Sequence, residues 1–207
     1  VTGPFGNYIM PIMIGARDMA FPRLNALSFW LIVAAAVPLI WGQFLGGIST
    51  GWSAYNPLAG QAPLGMDGYI MYICIFALST MVAGANITTT VVRMRAKGMT
   101  WNRTPIFIYG VVASVALALP AFPVFFLSQI LSGMDRALGT SFYDTARGGS
   151  GWLYENLFWI MGHPEVYVIL IPAVAALMEM APVFTRRPLF SFNVAVMGIA
   201  GICGLSV

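Results

Sequence analysis

Three side chains that could take part in redox or proton chemistry occur within five residues, in the segment Gly162-His163-Pro164-Glu165-Val166-Tyr167. The flanking residues, 157–161 and 168–177, carry no charge, and His163 is the only histidine in the 207 residues. A charged side chain near the centre of a bilayer costs about 3 kcal/mol on insertion scales. Ionisable groups in such a segment therefore indicate a functional site.

His163 and Tyr167 are spaced i, i+4 and share one helix face, whereas Glu165 points to a nearly opposite face. A neutral imidazole is the commonest protein ligand for copper, iron or zinc. A phenol can donate a proton and an electron, and a carboxyl group can store and release a proton. The spacing favours a redox or proton-handling site, but it leaves open a structural histidine and a tyrosine that only packs. One histidine cannot complete a metal site.

The composition is typical of a polytopic membrane protein. Hydrophobic residues make up 59% of the chain and charged residues 8%, with a mean hydropathy of +0.82, whereas soluble domains average about 25% charged residues. A bilayer core needs about 20 apolar residues per helix. Five stretches reach or approach this length: 26–48, 68–92, 106–133, 152–178 and 189–207.

We therefore expect an all-α fold, a bundle of about five transmembrane helices preceded by the end of another helix at 5–16. We interpret residues 1–207 as one transmembrane domain and as an internal fragment of a longer protein, since both ends fall in apolar runs. The net charge of +3 does not indicate nucleic-acid binding, because the basic residues are confined to a few loops.

The loops between these stretches alternate in charge. The first, third and fifth loops hold eight of the ten Lys and Arg residues, and the even loops hold only Arg136 and Arg147. The positive-inside rule places the odd loops in the cytoplasm or the mitochondrial matrix. Glu165 then lies about 20 Å from either end of its helix, near the bilayer midplane, and Asp18 lies on the inner side.

The segment Leu157-Phe-Trp-Ile-Met-Gly-His-Pro-Glu-Val-Tyr167 resembles the sixth transmembrane helix of subunit I of the heme–copper oxidases, in the glutamate-containing form of the A-type branch. The resemblance covers essentially the whole chain, from the end of helix two into helix seven of a twelve-helix subunit. Further segments match in the family's order: Phe5-Gly-Asn-Tyr8, Met13-Ile-Gly-Ala-Arg-Asp-Met-Ala-Phe-Pro-Arg23, Leu27-Ser-Phe-Trp30, Thr50-Gly-Trp-Ser-Ala-Tyr-Asn-Pro-Leu-Ala-Gly60, Gly84-Ala-Asn-Ile-Thr-Thr89 and Thr140-Ser-Phe-Tyr-Asp144.

The resemblance implies a role for each residue of the site. His163 would be a ligand of copper B, and Tyr167 the tyrosine joined covalently to that histidine, which supplies an electron and a proton. Glu165 would be the internal proton donor. Trp159 resembles the tryptophan beside the copper, and Trp52 resembles one near the heme propionates. The ligands of the low-spin and high-spin hemes and the other copper ligands are expected outside this chain, so we expect the fragment alone to be inactive.

The resemblance also implies a D-type proton pathway with its inner mouth at Asp18 and its end at Glu165. Amide and hydroxyl side chains orient water without trapping a charge, although in membrane helices they also join helices. The polar residues expected along this pathway are Asn7, Asn25, Ser28, Asn86, Ser79 and Thr80.

Three residues depart from the family pattern. Asn156 stands where the family usually has histidine, and Met178 replaces a serine of the K proton pathway. Glu179 follows Met178, and our hypothesis is that it provides a substitute mouth for that pathway.

As a whole, the resemblance implies part of a proton-pumping terminal oxidase that reduces oxygen to water with heme and copper. Its partners would be subunits II and III, membrane lipid, and cytochrome c or quinol as electron donor, with no nucleic acid. It would lie in a bacterial or archaeal plasma membrane or in the mitochondrial inner membrane. Two alternatives are a nitric-oxide reductase relative, whose branch lacks Tyr167, and a non-redox transporter that uses Glu165 to carry protons or a cation.

Overall fold

The computed structural model describes residues 2–206. Helices make up 76% of the structure, and no strand occurs among the described residues. The prediction of an all-α membrane helix bundle is confirmed. The helices are α1 (Thr2–Ile14), α2 (Pro22–Phe44), α3 (Leu58–Gln61), α4 (Gly65–Arg93), α5 (Ile106–Leu138), α6 (Gly151–Thr185) and α7 (Phe192–Leu205), with short 3-10 turns at Trp101–Arg103 and Thr145–Arg147.

Four helices of the described part, α2, α4, α5 and α6, are long and apolar enough to cross a membrane. The fifth predicted stretch, 189–207, contains the 14-residue apolar helix α7. It begins late because Ser191 is its N-cap and accepts a hydrogen bond from the backbone N–H of Val194 at 3.4 Å. Residues 2–206 therefore contain four helices of spanning length and the shorter apolar helix α7.

Helix α2 begins and ends four residues before the predicted stretch 26–48. It starts at Pro22, a residue suited to the first turn of a helix because its fixed φ is already helical. It ends before Gly46 and Gly47, whose φ angles of 101° and 72° lie in the left-handed region and stop the helix. As a result Asn25 lies within the first turn of α2 and not in the preceding loop.

The chain divides into two compact units. Unit 1 comprises Val1–Asn25, Val82–Pro120 and His163–Val207, and unit 2 comprises Ala26–Met81 and Ala121–Gly162. Helices α4, α5 and α6 each contribute residues to both units. The interpretation of residues 1–207 as one domain stays a prediction.

In unit 1, an apolar cluster joins α5, α6 and α7, and it contains Ile171 and Ala175 of α6. Gly110 lets α5 come close to α6, because an added Cβ would overlap the Cβ of Ala175 and lie 3.2 Å from the carbonyl oxygen of Ile171. Ser114, one turn further along α5, donates a hydrogen bond to the carbonyl oxygen of Val168 at 2.7 Å. These contacts fix the part of α6 that follows the His163–Tyr167 turn.

In unit 2, Arg136 near the end of α5 fixes the loop between α2 and α4. Its guanidinium forms an ion pair with Asp67 at 2.5 Å and donates hydrogen bonds to the carbonyl oxygens of Ala59 at 2.7 Å and Ala62 at 2.9 Å. Only 9% of the Arg136 side chain is exposed. In the next loop, a hydrogen bond from Arg147 lowers the pKa of Asp144 below its ordinary value.

Candidate functional site

The five-residue segment predicted to carry chemistry lies within the continuous helix α6, which includes Pro164. The ring centroids of His163 and Tyr167 are 5.2 Å apart at an interplanar angle of 63°, so the predicted shared helix face is confirmed. Tyr167 packs against the apolar cluster of α5, α6 and α7, whereas His163 is exposed. The helix therefore holds the phenol in place and leaves the imidazole accessible.

His163 is suited to ligate a metal. None of the residues 2–206 forms a hydrogen bond with its ring nitrogens, so both are available. The described residues contain no group of three or more His, Cys, Asp or Glu side chains that could hold an ion. The chain therefore fits the supply of one copper ligand, and it offers no second histidine for a heme iron.

Glu165 lies two residues after His163 and is half-buried. Within the described part of the chain its carboxyl group makes no ion pair and no hydrogen bond. A carboxyl group without a fixed partner in an apolar helix is free to exchange a proton with water. The role of Glu165 as a proton carrier stays a prediction.

The two tryptophans of the prediction lie together in unit 2. The rings of Trp52 and Trp159 are 6.4 Å apart and nearly perpendicular, at 83°. The indole N–H of Trp159 donates a hydrogen bond to the hydroxyl of Tyr55, and Trp52 also contacts Phe158 at 5.2 Å. Both tryptophans remain about half exposed, at 56% and 45%, so each presents a ring face beyond this cluster.

Asp18, the predicted inner mouth of the proton pathway, is exposed in the loop between α1 and α2. Its Oδ1 accepts a hydrogen bond from the backbone N–H of Met19 at 2.7 Å. Asn86 of α4 is fully buried and holds the same loop, because its amide accepts from the N–H of Phe21 at 2.9 Å and donates to the carbonyl of Phe21 at 3.3 Å. Asn86 therefore positions the loop of Asp18.

Thr90 is a further residue that holds this loop, and sequence reasoning missed it. Its hydroxyl oxygen accepts a hydrogen bond from the N–H of Ala20 at 2.9 Å. It donates in turn to the carbonyl of Asn86 at 2.7 Å. The signal in the sequence was the i, i+4 spacing of Asn86 and Thr90, which places both on one face of α4.

The remaining pathway residues are divided between the two units. Asn7 is in unit 1, and its buried Oδ1 accepts no hydrogen bond from the described residues. Asn25, also in unit 1, is half-buried. In unit 2, the hydroxyl of Ser79 donates to the carbonyl oxygen of Ser28 at 2.6 Å, and Thr80 donates to the carbonyl oxygen of Phe76 at 3.0 Å.

The three departures from the family pattern have local structural partners. Asn156 donates to the carbonyl oxygen of Trp152, four residues earlier, at 2.8 Å, and Met178 packs against the apolar cluster of α5, α6 and α7. Glu179 accepts a hydrogen bond from the N–H of Phe107 at 3.2 Å. Phe107 is the second residue of α5, so this carboxylate lies at a helix N-terminus, where a negative charge is stabilising.

Comparison with known proteins identifies the family of the chain. The family described as "Cytochrome C and Quinol oxidase polypeptide I" matches residues 1–207. The chain is 41% identical over 210 residues to ubiquinol oxidase subunit 1 of Acetobacter aceti, which covers 100% of this chain and 32% of the relative. It is 39% identical over 202 residues to cytochrome c oxidase subunit 1 of Thermostichus vulcanus, covering 97% of this chain and 37% of the relative.

A third relative, cytochrome c oxidase subunit 1 of Bacillus subtilis (strain 168), is 40% identical over 205 residues, which cover 97% of this chain and 33% of the relative. The chain therefore spans about a third of the length of these curated relatives.

Proposed function

Since this chain belongs to the cytochrome c and quinol oxidase polypeptide I family, we propose that it is part of the catalytic subunit of a proton-pumping terminal oxidase that reduces oxygen to water. The observation that carries the proposal is the His163–Tyr167 turn, which combines an accessible imidazole with a phenol ring 5.2 Å away.

His163 would hold copper B through one ring nitrogen, with the other ligands and the heme ligands contributed from outside this chain. Copper and heme together would supply the electrons and the binding position for oxygen. Tyr167 would donate a proton and an electron to the site, since its phenol stays at a fixed distance from the imidazole.

Glu165 would take protons from the inner side and pass them to the site or to the outside. It has no fixed partner among residues 2–206, which suits a group that must be protonated and deprotonated in each cycle. Asp18 is exposed and so could collect protons from water. The buried Oδ1 of Asn7 could orient a water molecule of the D-type pathway.

The electron donor would be cytochrome c or a quinol. Subunits II and III would help to bring its electrons to this subunit. Relatives named for both donors match this chain at about the same identity, 41% and 40%, so the identity gives no preference. The four spanning helices place the protein in a membrane, and we propose a plasma membrane of a prokaryote or the mitochondrial inner membrane.

Proton pumping by the full-length protein in liposomes tests this proposal. We expect Glu165→Gln to abolish pumped turnover and Asp18→Asn to slow proton uptake. Glu155→Gln is a matched control, because Glu155 is an acid on the same helix as Glu165, near the beginning of α6. Normal pumping by Glu165→Gln would overturn the assigned role. Proton or cation transport without heme and copper in the protein would favour the transporter alternative.

A further inference from the structure

The last third of α5 carries a buried polar stripe, which we define as Ser128, Gln129, Ser132 and Asp135. The spacings of three and four residues place them on neighbouring positions of one helix face. The first three are at most 1% exposed, so the stripe faces the interior of unit 2. Ionisable side chains such as Asp135 that face the protein interior in a membrane helix mark paths for water or ions, whereas Ser and Gln side chains often join helices.

The hydrogen bonds of Gln129 are incomplete. Its Nε2 donates to the hydroxyl of Tyr154 at 3.0 Å, and that hydroxyl donates to the carbonyl oxygen of Ser53 at 2.8 Å. Its Oε1 is buried and accepts no hydrogen bond from the described residues. A buried acceptor without a partner costs about 1–3 kcal/mol, so Oε1 requires a donor.

Ser132, one turn after Gln129, can provide the other side of a binding position. Its Oγ accepts a hydrogen bond from Nδ2 of Asn56 at 3.4 Å. Its own hydroxyl proton has no acceptor among residues 2–206. The hydroxyl of Ser128, in contrast, donates a hydrogen bond to the carbonyl oxygen of Phe125 at 2.8 Å.

The stripe leads to a polar cavity of about 100 Å³ in the loops of unit 2. Asp135, the last residue of the stripe, and Asn56, the partner of Ser132, both line this cavity, together with Asp144 and Arg147. A single water molecule needs only about 10–15 Å³ of such volume. The cavity can therefore hold several water molecules next to the end of the stripe.

We propose that an internal water molecule binds between Oε1 of Gln129 and Oγ of Ser132 and belongs to a chain of water molecules that runs to this cavity. The bound water would accept a hydrogen bond from the hydroxyl of Ser132 and donate one to Oε1 of Gln129. Its second proton and second lone pair would form hydrogen bonds with further water molecules of the chain. The charge pattern of the loops assigns the cavity to the outer side. Its use as an outward route for protons rests on the proposed function.

The experiment compares the full-length protein with Gln129→Met and Ser132→Ala, in structures that resolve ordered water and in proton release from liposomes. Leu127→Met is the control, because Leu127 is on the same helix and 47% exposed. In the wild type and the control we expect an ordered water molecule between the side chains of residues 129 and 132, within hydrogen-bond distance of Gln129 Oε1. In Gln129→Met we expect no ordered water at that position. In both stripe variants we expect at least a twofold drop in protons released per electron.

A wild-type structure in which Oε1 contacts no water, or bonds to a protein atom, would overturn the binding site. Loss of the water with unchanged proton release would overturn the outward route. If the wild type does not pump, the proposed function fails, while the water at Gln129 is still tested by the structures. Ser132→Ala keeps the test valid if Gln129→Met does not fold.

Discussion

The rings of His163 and Tyr167 lie 5.2 Å apart, one turn along α6. One of the two side chains is packed and the other is accessible: Tyr167 contacts the apolar cluster of α5, α6 and α7, and His163 is exposed. A helix thus sets the distance between the proposed metal ligand and the proposed proton donor without any loop. This relationship makes the two roles separable by substitution.

Tyr167→Phe removes the hydroxyl and keeps the ring. Because the packing of the ring remains, we expect an unchanged thermal unfolding midpoint for the full-length protein. Oxygen consumption should fall about a hundredfold or more, the usual effect of losing a positioned proton donor. Tyr109→Phe is the control, since that hydroxyl bonds to the carbonyl oxygen of Trp101 and should not affect oxygen consumption. Full activity of Tyr167→Phe would exclude the phenol from the chemistry.

Gly110→Ala should weaken the packing of α5 against α6. The new Cβ would overlap that of Ala175, and overpacking costs about 1–3 kcal/mol. We expect a lower unfolding midpoint, measured in detergent. Gly198→Ala of α7 has no atom within 4 Å of the added Cβ and should leave the midpoint unchanged. Equal midpoints for the two variants would contradict the close approach at Gly110.

Two substitutions of Glu179 separate its structural contact from the hypothesis of a proton pathway mouth. Glu179→Gln keeps an oxygen that can accept from the N–H of Phe107, whereas Glu179→Ala does not. We expect Ala to cost about 1 kcal/mol of stability, as for loss of a helix cap, and Gln much less. If Glu179 also admits protons, Glu179→Gln will slow heme reduction. An unchanged rate in stopped-flow measurements would rule out the pathway role.

Arg136→Met should destabilise unit 2 more than the removal of any exposed charged side chain does. It breaks the ion pair with Asp67 and removes the donors to the carbonyl oxygens of Ala59 and Ala62. Buried acceptors that lose their donor cost about 1–3 kcal/mol. Limited proteolysis of the loop between α2 and α4 reports the effect. Arg147→Met, whose pair is exposed, should show the wild-type cleavage rate. Protection of the loop in Arg136→Met would contradict this role.

Much of the architecture was predictable because apolar length alone defines helices in a membrane. The stretch 106–133 begins at the observed start of α5. The predicted stretch ends at 133, whereas α5 continues to Leu138. In this last turn Asp135 accepts a hydrogen bond from the backbone N–H of Phe142, and Arg136 donates one to the carbonyl oxygen of Ala59. The charged residues of a short segment do not indicate which distant residues they contact, as Arg136 contacts Ala59.

The candidate site was predictable where the residues are neighbours on one helix, as His163 and Tyr167 are. Contacts between distant segments were not predictable. Asn86 is expected along a proton pathway, which stays a prediction, and the sequence does not indicate that its amide hydrogen-bonds to the backbone of Phe21. The unsatisfied Oε1 of Gln129 also could not be inferred, because burial of a polar atom depends on the packing of α5 and α6.

The copper content of the full-length His163→Ala variant tests the central claim most directly. If His163 is a ligand of copper B, the purified variant will have less copper than the wild type. It will retain a low-spin heme signal in its reduced-minus-oxidised spectrum and will not reduce oxygen. Asn193→Ala, a change in the first turn of α7, controls for general damage and should keep its copper. Full copper content and normal oxygen reduction in His163→Ala would contradict the account.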